Sequence, residues 1–318
     1  MRTRLRKIIK LLLILFIVLL VCCTLGGIYM VNYALETKHR GLNIEESYKD
    51  MFARYPYLES WVDSLNQKEA LKDTFLINAE GKKLHALYIN AAKPTTKTAV
   101  IVHGYTDNSI RMLMIGYLYN KDLGYNVVLP DLQYHGLSEG KAIQMGWKDR
   151  LDVQKWIDLT INMHGDSTQL AVHGISMGAA TTMMVSAEKQ PQQVKCFIED
   201  CGYTSVWDEF KQELTVQFGL PAFPILHLAS FICSLKYDWT FQEASALKAV
   251  EKSKYPMLFI HGDADTFVPT WMVFPLYEAK AQPKELWIVP NVEHAKSYLD
   301  QQDEYTVRVG NFLKKYIH

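Results

Sequence analysis

Leu170-Ala171-Val172-His173-Gly174-Ile175-Ser176-Met177-Gly178-Ala179-Ala180 is the stretch that decides the fold of this chain. An apolar run, a Gly-x-Ser-x-Gly turn and small, helix-compatible residues spell a strand, a sharp elbow and a helix. A serine on such an elbow sits in strained backbone that lifts its hydroxyl above the sheet. Gly174 and Gly178 leave room for strand and helix to approach closely there. The helix beyond Ser176 aims free N–H groups and a partial positive charge at any oxyanion formed beside it. Taken alone, the turn serves equally well as a plain strand-to-helix joint, so the flanking chain must decide.

Outward from the elbow, strands alternate with helices. Strands are expected at 98–102, 126–129, 169–172, 195–199, 257–260 and 285–289, with helices at 110–121, 147–163, 179–189, 271–280 and 298–316. Residues 74–79 and 83–90, joined by Glu80-Gly81-Lys82, read as an antiparallel hairpin. This rhythm predicts an α/β fold: a mostly parallel eight-stranded sheet, built by right-handed crossovers, with helices on both faces. The rhythm breaks between 199 and 257. A helix at 205–218, then Pro221-Ala222-Phe223-Pro224 and an apolar run at 225–235, predict a small cap at about 203–254 over the strand ends, where open α/β sheets bind ligands. A plain crossover with a long loop is the simpler alternative. Phe223, Ile225, Leu226, Leu228 and Phe231 are the expected apolar lining.

The N-terminus reads differently. Residues 11–31 carry no charge and are long enough, at about 1.5 Å per residue, to cross a hydrocarbon core of about 30 Å. Arg2, Arg4, Arg6, Lys7 and Lys10 precede them, which leaves residues 1–10 in the cytoplasm and sends the body across the cell membrane as a single-pass, extracytoplasmic domain. A cleaved signal peptide competes, but the run exceeds a usual apolar core and no clear Ala-x-Ala site follows. Residues 32–72 are expected to form a helical linker, with Tyr48, Met51, Phe52, Tyr55, Leu58, Trp61, Val62 and Leu65 at helical spacing broken at Pro56. That aromatic stripe is expected to pack on the domain that follows at 73–318.

Composition removes several functions. Residues 1–40 hold seven of the 34 Lys and Arg and one of the 34 acidic residues, so the body is mildly acidic and shows no basic patch for nucleic acid. Among the five cysteines no metal-ligand spacing occurs; a Cys201–Cys233 bridge remains open. There is no His-Glu-x-x-His and no Gly-x-Gly-x-x-Gly, so neither a metal nor another cofactor is expected.

A serine needs a base, and the base needs an acid to orient it. After strand 257–260 comes His261-Gly262-Asp263-Ala264-Asp265-Thr266-Phe267-Val268-Pro269, and after strand 285–289 comes Asn291-Val292-Glu293-His294. Both lie past carboxyl ends of strands in one sheet, so their loops converge with the elbow. Asp263 and Asp200 are rival acids to Asp265. His103, His135, His173 and His261 lie near glycines at strand ends and read as structural.

With these motifs, together with His103-Gly104 and Asp131…His135-Gly136…Ser138-x-Gly140, residues 70–318 resemble the α/β-hydrolase superfamily. Within it the chain is similar to bacterial serine hydrolases akin to carboxylesterases, lysophospholipases and prolyl-oligopeptidase-like catalytic domains. The resemblance implies that Ser176 is the nucleophile, His294 the base and Asp265 the acid, with the backbone N–H groups of Tyr105 and Met177 forming an oxyanion hole. It implies hydrolysis of a small-molecule or lipid-like ester through an acyl-enzyme. A serine peptidase, a thioesterase or an acyltransferase would use the same residues, and a non-catalytic anchored scaffold would keep the fold. Gln133 stands where similar hydrolases often carry Arg, which puts any pairing made by that loop in doubt.

Overall fold

The computed structural model describes residues 2–37 and 43–318. Its centre is an eight-stranded sheet of β1 (Leu71–Ile77), β2 (Lys83–Ile89), β3 (Lys97–Val102), β4 (Asn126–Pro130), β5 (Gln169–Ile175), β6 (Val194–Asp200), β7 (Met257–Gly262) and β8 (Lys284–Val289). The strand order is β1-β2-β4-β3-β5-β6-β7-β8, antiparallel in the β1–β2–β4 part and parallel from there on. The helices are α1 (Arg2–Leu35), α2 (Ile44–Arg54), α3 (Tyr57–Gln67), α4 (Leu113–Tyr117), α5 (Asp149–His164), α6 (Met177–Ser186), α7 (Val206–Phe218), α8 (Ile225–Tyr237), α9 (Ala246–Val250), α10 (Val273–Ala279), α11 (Ser297–Asp300) and α12 (Gln302–Leu313).

The central strands are apolar along their whole length because both faces are covered. On β3, Val100 and Val102 enter one core layer, while Ala99 and Ile101 enter the other. The first layer packs beneath α5, α6, α9 and the cap; the second packs beneath α2, α3, α4 and α12. This is the period-two alternation of a strand buried on both sides. The aromatic stripe of α2 and α3 packs on the domain as expected, with Met51, Tyr55, Leu58, Trp61, Val62 and Leu65 buried.

Several boundaries differ from the sequence expectation. The sheet begins at Leu71 rather than 74, because β1 is an outer strand whose exposed positions tolerate Lys72 and Asp73. The last helix divides into α11 and α12 around Gln301, whose backbone (φ −134°, ψ 44°) is not helical. The first helix continues past 31 to Leu35, and Val31 and Leu35 are fully buried in the first core layer. Of the expected linker at 32–72, residues 38–42 lie outside the described ones. The helix is long and apolar enough to cross a membrane, its most apolar window being wholly uncovered by protein.

Between β6 and β7, helices α7 and α8 form the inserted cap, and α8 packs alongside the end of α1. The contact is close at Gly27: a Cβ there would lie 3.1 Å from both Leu228 Cβ and Ile232 Cδ1. Higher up, the Lys236 ammonium donates to Asn32 Oδ1 (3.0 Å) and also bonds the Glu36 carboxylate, which accepts from the Tyr237 hydroxyl as well. The two helices therefore run side by side in the same direction.

Candidate active site

β4 and β5 lie on opposite sides of β3, so the direction in which strands are added reverses between β3 and β5. A crevice opens at such a switch point, outside the carboxyl ends of the strands. Gly104 and Tyr105 leave β3 there and Ser176 leaves β5. Ser176 has φ 58° and ψ −120°, a left-handed backbone costly for a non-glycine residue, and its N–H is fixed by donation to Asp200 O at 2.8 Å. The flanking glycines are obligatory on steric grounds. A Cβ on Gly174 would stand 2.0 Å from Gly178 O, and one on Gly178 would stand 2.1 Å from Val102 O. Strand and helix backbones touch, which is what holds the serine up.

Three sequence-predicted residues meet here. Ser176 Oγ lies 2.8 Å from His294 Nε2, and His294 Nδ1 lies 2.7 Å from Asp265 Oδ2. The other carboxylate oxygen of Asp265 accepts the N–H groups of Phe267 and Val268, each at 3.0 Å. Burial opposes the charge on Asp265. Hydrogen bonds and charge from His261 and His294 outweigh that and hold the carboxyl below its ordinary range. The arrangement holds an imidazole between an anion and a hydroxyl, which lets the hydroxyl's proton move to Nε2 while positive charge grows beside Asp265.

The rival acids are elsewhere. Asp263 accepts the Asn291 N–H at 2.6 Å, tying the acid loop to the histidine loop. Asp200 accepts from Ser297 Oγ and Tyr305 OH, both at 3.0 Å, and burial pushes its carboxyl up to about 6. The remaining histidines brace the scaffold: His103 Nε2 accepts the Leu132 N–H at 2.9 Å, and His261 Nε2 lies 2.9 Å from Val268 O. Buried His173 sits between Tyr119 OH (3.3 Å) and Tyr305 OH (2.9 Å), and burial pushes it down to about 3. Gln133 donates to Asp152 Oδ2 at 2.6 Å and accepts from Lys82 Nζ at 2.7 Å.

Met177 is the first residue of α6, so its N–H is one the helix itself leaves without an acceptor. Tyr105 follows β3 across the crevice, and its phenol donates to Ala34 O at 2.7 Å. Cys201 brings its Sγ within 4.8 Å of donor atoms of Asp265 and His294. Burial holds that thiol well above its ordinary pKa. All five cysteines are free, so Cys201 and Cys233 are not bridged.

A cavity of about 320 Å³ opens beside Ser176, in the size range of small-molecule sites. Its lining departs from the expected one. Ile225 and Leu226 contribute, but Leu228 packs toward Gly27, and Phe223 and Phe231 are 73% and 60% exposed. The helix face that α8 turns inward is set by its docking on α1, which the apolar run 225–235 does not reveal. The wall is completed instead by Phe210, Leu214 and Phe218 of α7 and by Met30, Tyr33 and Ala34 of α1. Glu209 also faces the cavity; burial holds its carboxyl well above the ordinary range, and its Oε2 has no partner among the described residues. In the sequence Glu209 reads only as an acidic residue in a helix's first turn.

Comparison with known proteins agrees with this geometry. Over 252 residues the chain is 32% identical to the uncharacterized protein YqkD of Bacillus subtilis, covering 79% of this chain and 81% of YqkD. Among solved structures, the Pyrococcus furiosus esterase Pf2001 superposes with a TM-score of 0.64 at 26% identity, covering 78% of this chain and 93% of that one. The acylaminoacyl peptidase of Pyrococcus horikoshii, at 18% identity, shares the fold over 80% of this chain and 43% of its own, with a TM-score of 0.59. The sheet is thus that of the α/β hydrolases. Residues 119–318, which contain the elbow and both partner loops, match the prolyl oligopeptidase family, and the chain belongs to it.

Proposed function

We propose that the chain is a serine hydrolase that cleaves carboxylic esters through an acyl-enzyme. The observation that carries this reading is the continuous hydrogen-bonded series Ser176–His294–Asp265 at the wall of an apolar cavity. Ser176 Oγ attacks the acyl carbonyl as its proton passes to His294 Nε2, while Asp265 holds the imidazole and balances its charge. The N–H groups of Met177 and Tyr105 receive the oxyanion. His294 then returns the proton to the leaving alcohol, and a water activated by the same imidazole releases the acid. Kinship with an esterase supports an ester, and the apolar wall supports an acyl or aromatic group. α1 anchors the enzyme in the cell membrane, and the basic residues before its apolar stretch support an extracytoplasmic hydrolase domain.

The same machinery cleaves amides, and the family match favours a peptidase as the second reading. A panel of p-nitrophenyl esters of graded chain length, run beside aminoacyl-nitroanilides with Ser176→Ala as control, separates the two. Ester turnover that vanishes in Ser176→Ala is the expected result. Turnover of the nitroanilides alone would replace the esterase reading by the peptidase one.

A further inference from the structure

The cavity beside Ser176 is incomplete without the membrane-spanning helix. Met30, Tyr33 and Ala34, one and a half turns near the end of α1, form part of its wall opposite Phe210, Leu214 and Phe218 of α7 and Leu226 of α8. Two contacts lock this arrangement: Tyr33 OH donates to Gln217 Oε1 at 3.2 Å, and Tyr105 OH donates to Ala34 O. The Ile143 N–H, bonded to Leu35 O at 2.8 Å, ties the end of the helix into the hydrolase core.

The depth of this wall follows from helix geometry. Lys10 is the last charge before the apolar stretch, and at about 1.5 Å per residue the twenty residues after it span about 30 Å, which ends at Met30. The part of the cavity wall that α1 supplies therefore begins where the hydrocarbon core ends. The polar cluster of Asn32, Glu36 and Lys236 lies just beyond, at headgroup level. Because α8 runs alongside α1 with Leu228 and Ile232 at Gly27, the start of α8 and the turn before it lie deeper than Gly27. That turn is apolar. Phe223 in the turn is 73% exposed, as are Val216 of α7 (64%) and Phe231 of α8 (60%) on either side of it, and Phe218 at the end of α7 is in edge contact with Tyr33. An apolar surface of this kind, continuous with a bare spanning helix, has a fitting solvent in lipid tails.

We infer that the tip between α7 and α8 is immersed in the adjoining leaflet and that the cavity takes the acyl chain of a membrane-resident ester directly from it, past α1. This rests on the serine hydrolase reading above. It adds a substrate class: an ester whose chain is already in the bilayer, drawn into the cavity without crossing water. Burial raises the carboxyls of Glu209 and Glu213, the two acidic residues of the lining, above their ordinary range, which favours their neutral forms beside a chain.

The test uses the full chain in phosphatidylcholine nanodiscs with two probes, p-nitrophenyl acetate in solution and 4-methylumbelliferyl palmitate carried in the bilayer. Ala34→Trp fills the cavity from the α1 side. Each methylene excluded weakens binding about fourfold, so the ratio of palmitate to acetate turnover falls at least about tenfold. Complete phosphonate labelling of Ser176 reports that this variant is folded. The double variant Phe223→Asp/Phe231→Asp alters only the outer surface of the tip and lowers the palmitate-to-acetate ratio at least about tenfold. Equal effects on both probes, or no effect on either, overturn the inference while leaving the hydrolase reading intact. Failure of the unmodified chain to turn over either probe overturns the hydrolase reading, and this inference with it.

Discussion

Replacing Asp265 by Asn is the sharpest perturbation of the site, because the structure dictates how the new amide must sit. Asp265 Oδ1 accepts two backbone N–H groups, from Phe267 and Val268, at 3.0 Å each. An asparagine must keep its carbonyl oxygen there, since the opposite flip would face an NH2 against two donors. Its NH2 then points along the 2.7 Å contact toward His294 Nδ1. Nδ1 becomes an acceptor, the ring proton moves to Nε2, and Nε2 can no longer take the proton of Ser176 across their 2.8 Å contact. The volume is unchanged, so the fold is preserved while the base is switched off. Loss of the correct tautomer in a triad lowers kcat on the order of 10⁴-fold, which corresponds to about 5.5 kcal/mol of transition-state stabilisation. The assay is steady-state hydrolysis of p-nitrophenyl acetate, with a thermal melt to confirm folding. Asp263→Asn is the control: its carboxylate accepts the Asn291 N–H, which an amide oxygen also accepts, and a loss below about threefold is expected. A loss below about tenfold for Asp265→Asn, or equal losses for the two variants, would refute the tautomer reasoning.

Other expected outcomes follow from packing and charge. In Gly178→Ala the new Cβ stands 2.1 Å from Val102 O and 2.6 Å from His103 O, backbone atoms that cannot rotate aside. Destabilisation of at least about 3 kcal/mol is expected, seen as a fall of about 6–12 °C in the melting temperature; a melt within about 2 °C of the unmodified chain contradicts the close approach. Burial pushes Asp149 up to about 7 and Glu199 up to about 8, with Asp200 at about 6, all above their ordinary values of 3.8, 4.5 and 3.8. The folded chain then holds more protons than the unfolded one between about pH 4 and 8, so stability falls as pH rises through that window. His85 and His261 act in the same direction, since both are raised: burial opposes their charge but the hydrogen bonds of His85 to Asp131 and Asp73 and of His261 to Asp265 prevail. A calorimetric melt is expected to be lower at pH 8.5 than at pH 6, and a higher one contradicts the assignment of these buried carboxyls.

How much of this was legible in the sequence depends on where each constraint resides. The elbow could be read because its glycines answer a local steric need, with backbone on backbone at 2.0 Å and 2.1 Å. The loops bearing Asp265 and His294 could be located because each follows an unmistakable buried strand. The choice of Asp265 over Asp263 came from resemblance, and its physical basis is tertiary: one carboxylate turns toward His294, the other toward the Asn291 N–H. The cavity lining was the least legible part. Which face of α8 turns inward depends on α1, and nothing in the periodicity of 225–235 encodes a partner two hundred residues away. Gly27 carried a faint signal, a glycine inside an apolar helix, whose use is the close approach of Leu228 and Ile232. The start of the outer strand β1 was placed late because its first exposed positions, Lys72 and Asp73, are polar and resemble a loop.

The central claim is that Ser176 is a nucleophile activated by His294. Intact-mass analysis after exposure of the folded full chain to a fluorophosphonate tests it most directly. The account predicts one phosphonyl adduct, mapped to Ser176 by peptide sequencing and absent in Ser176→Ala. A folded chain that acquires no adduct, or acquires one at another residue, would contradict it.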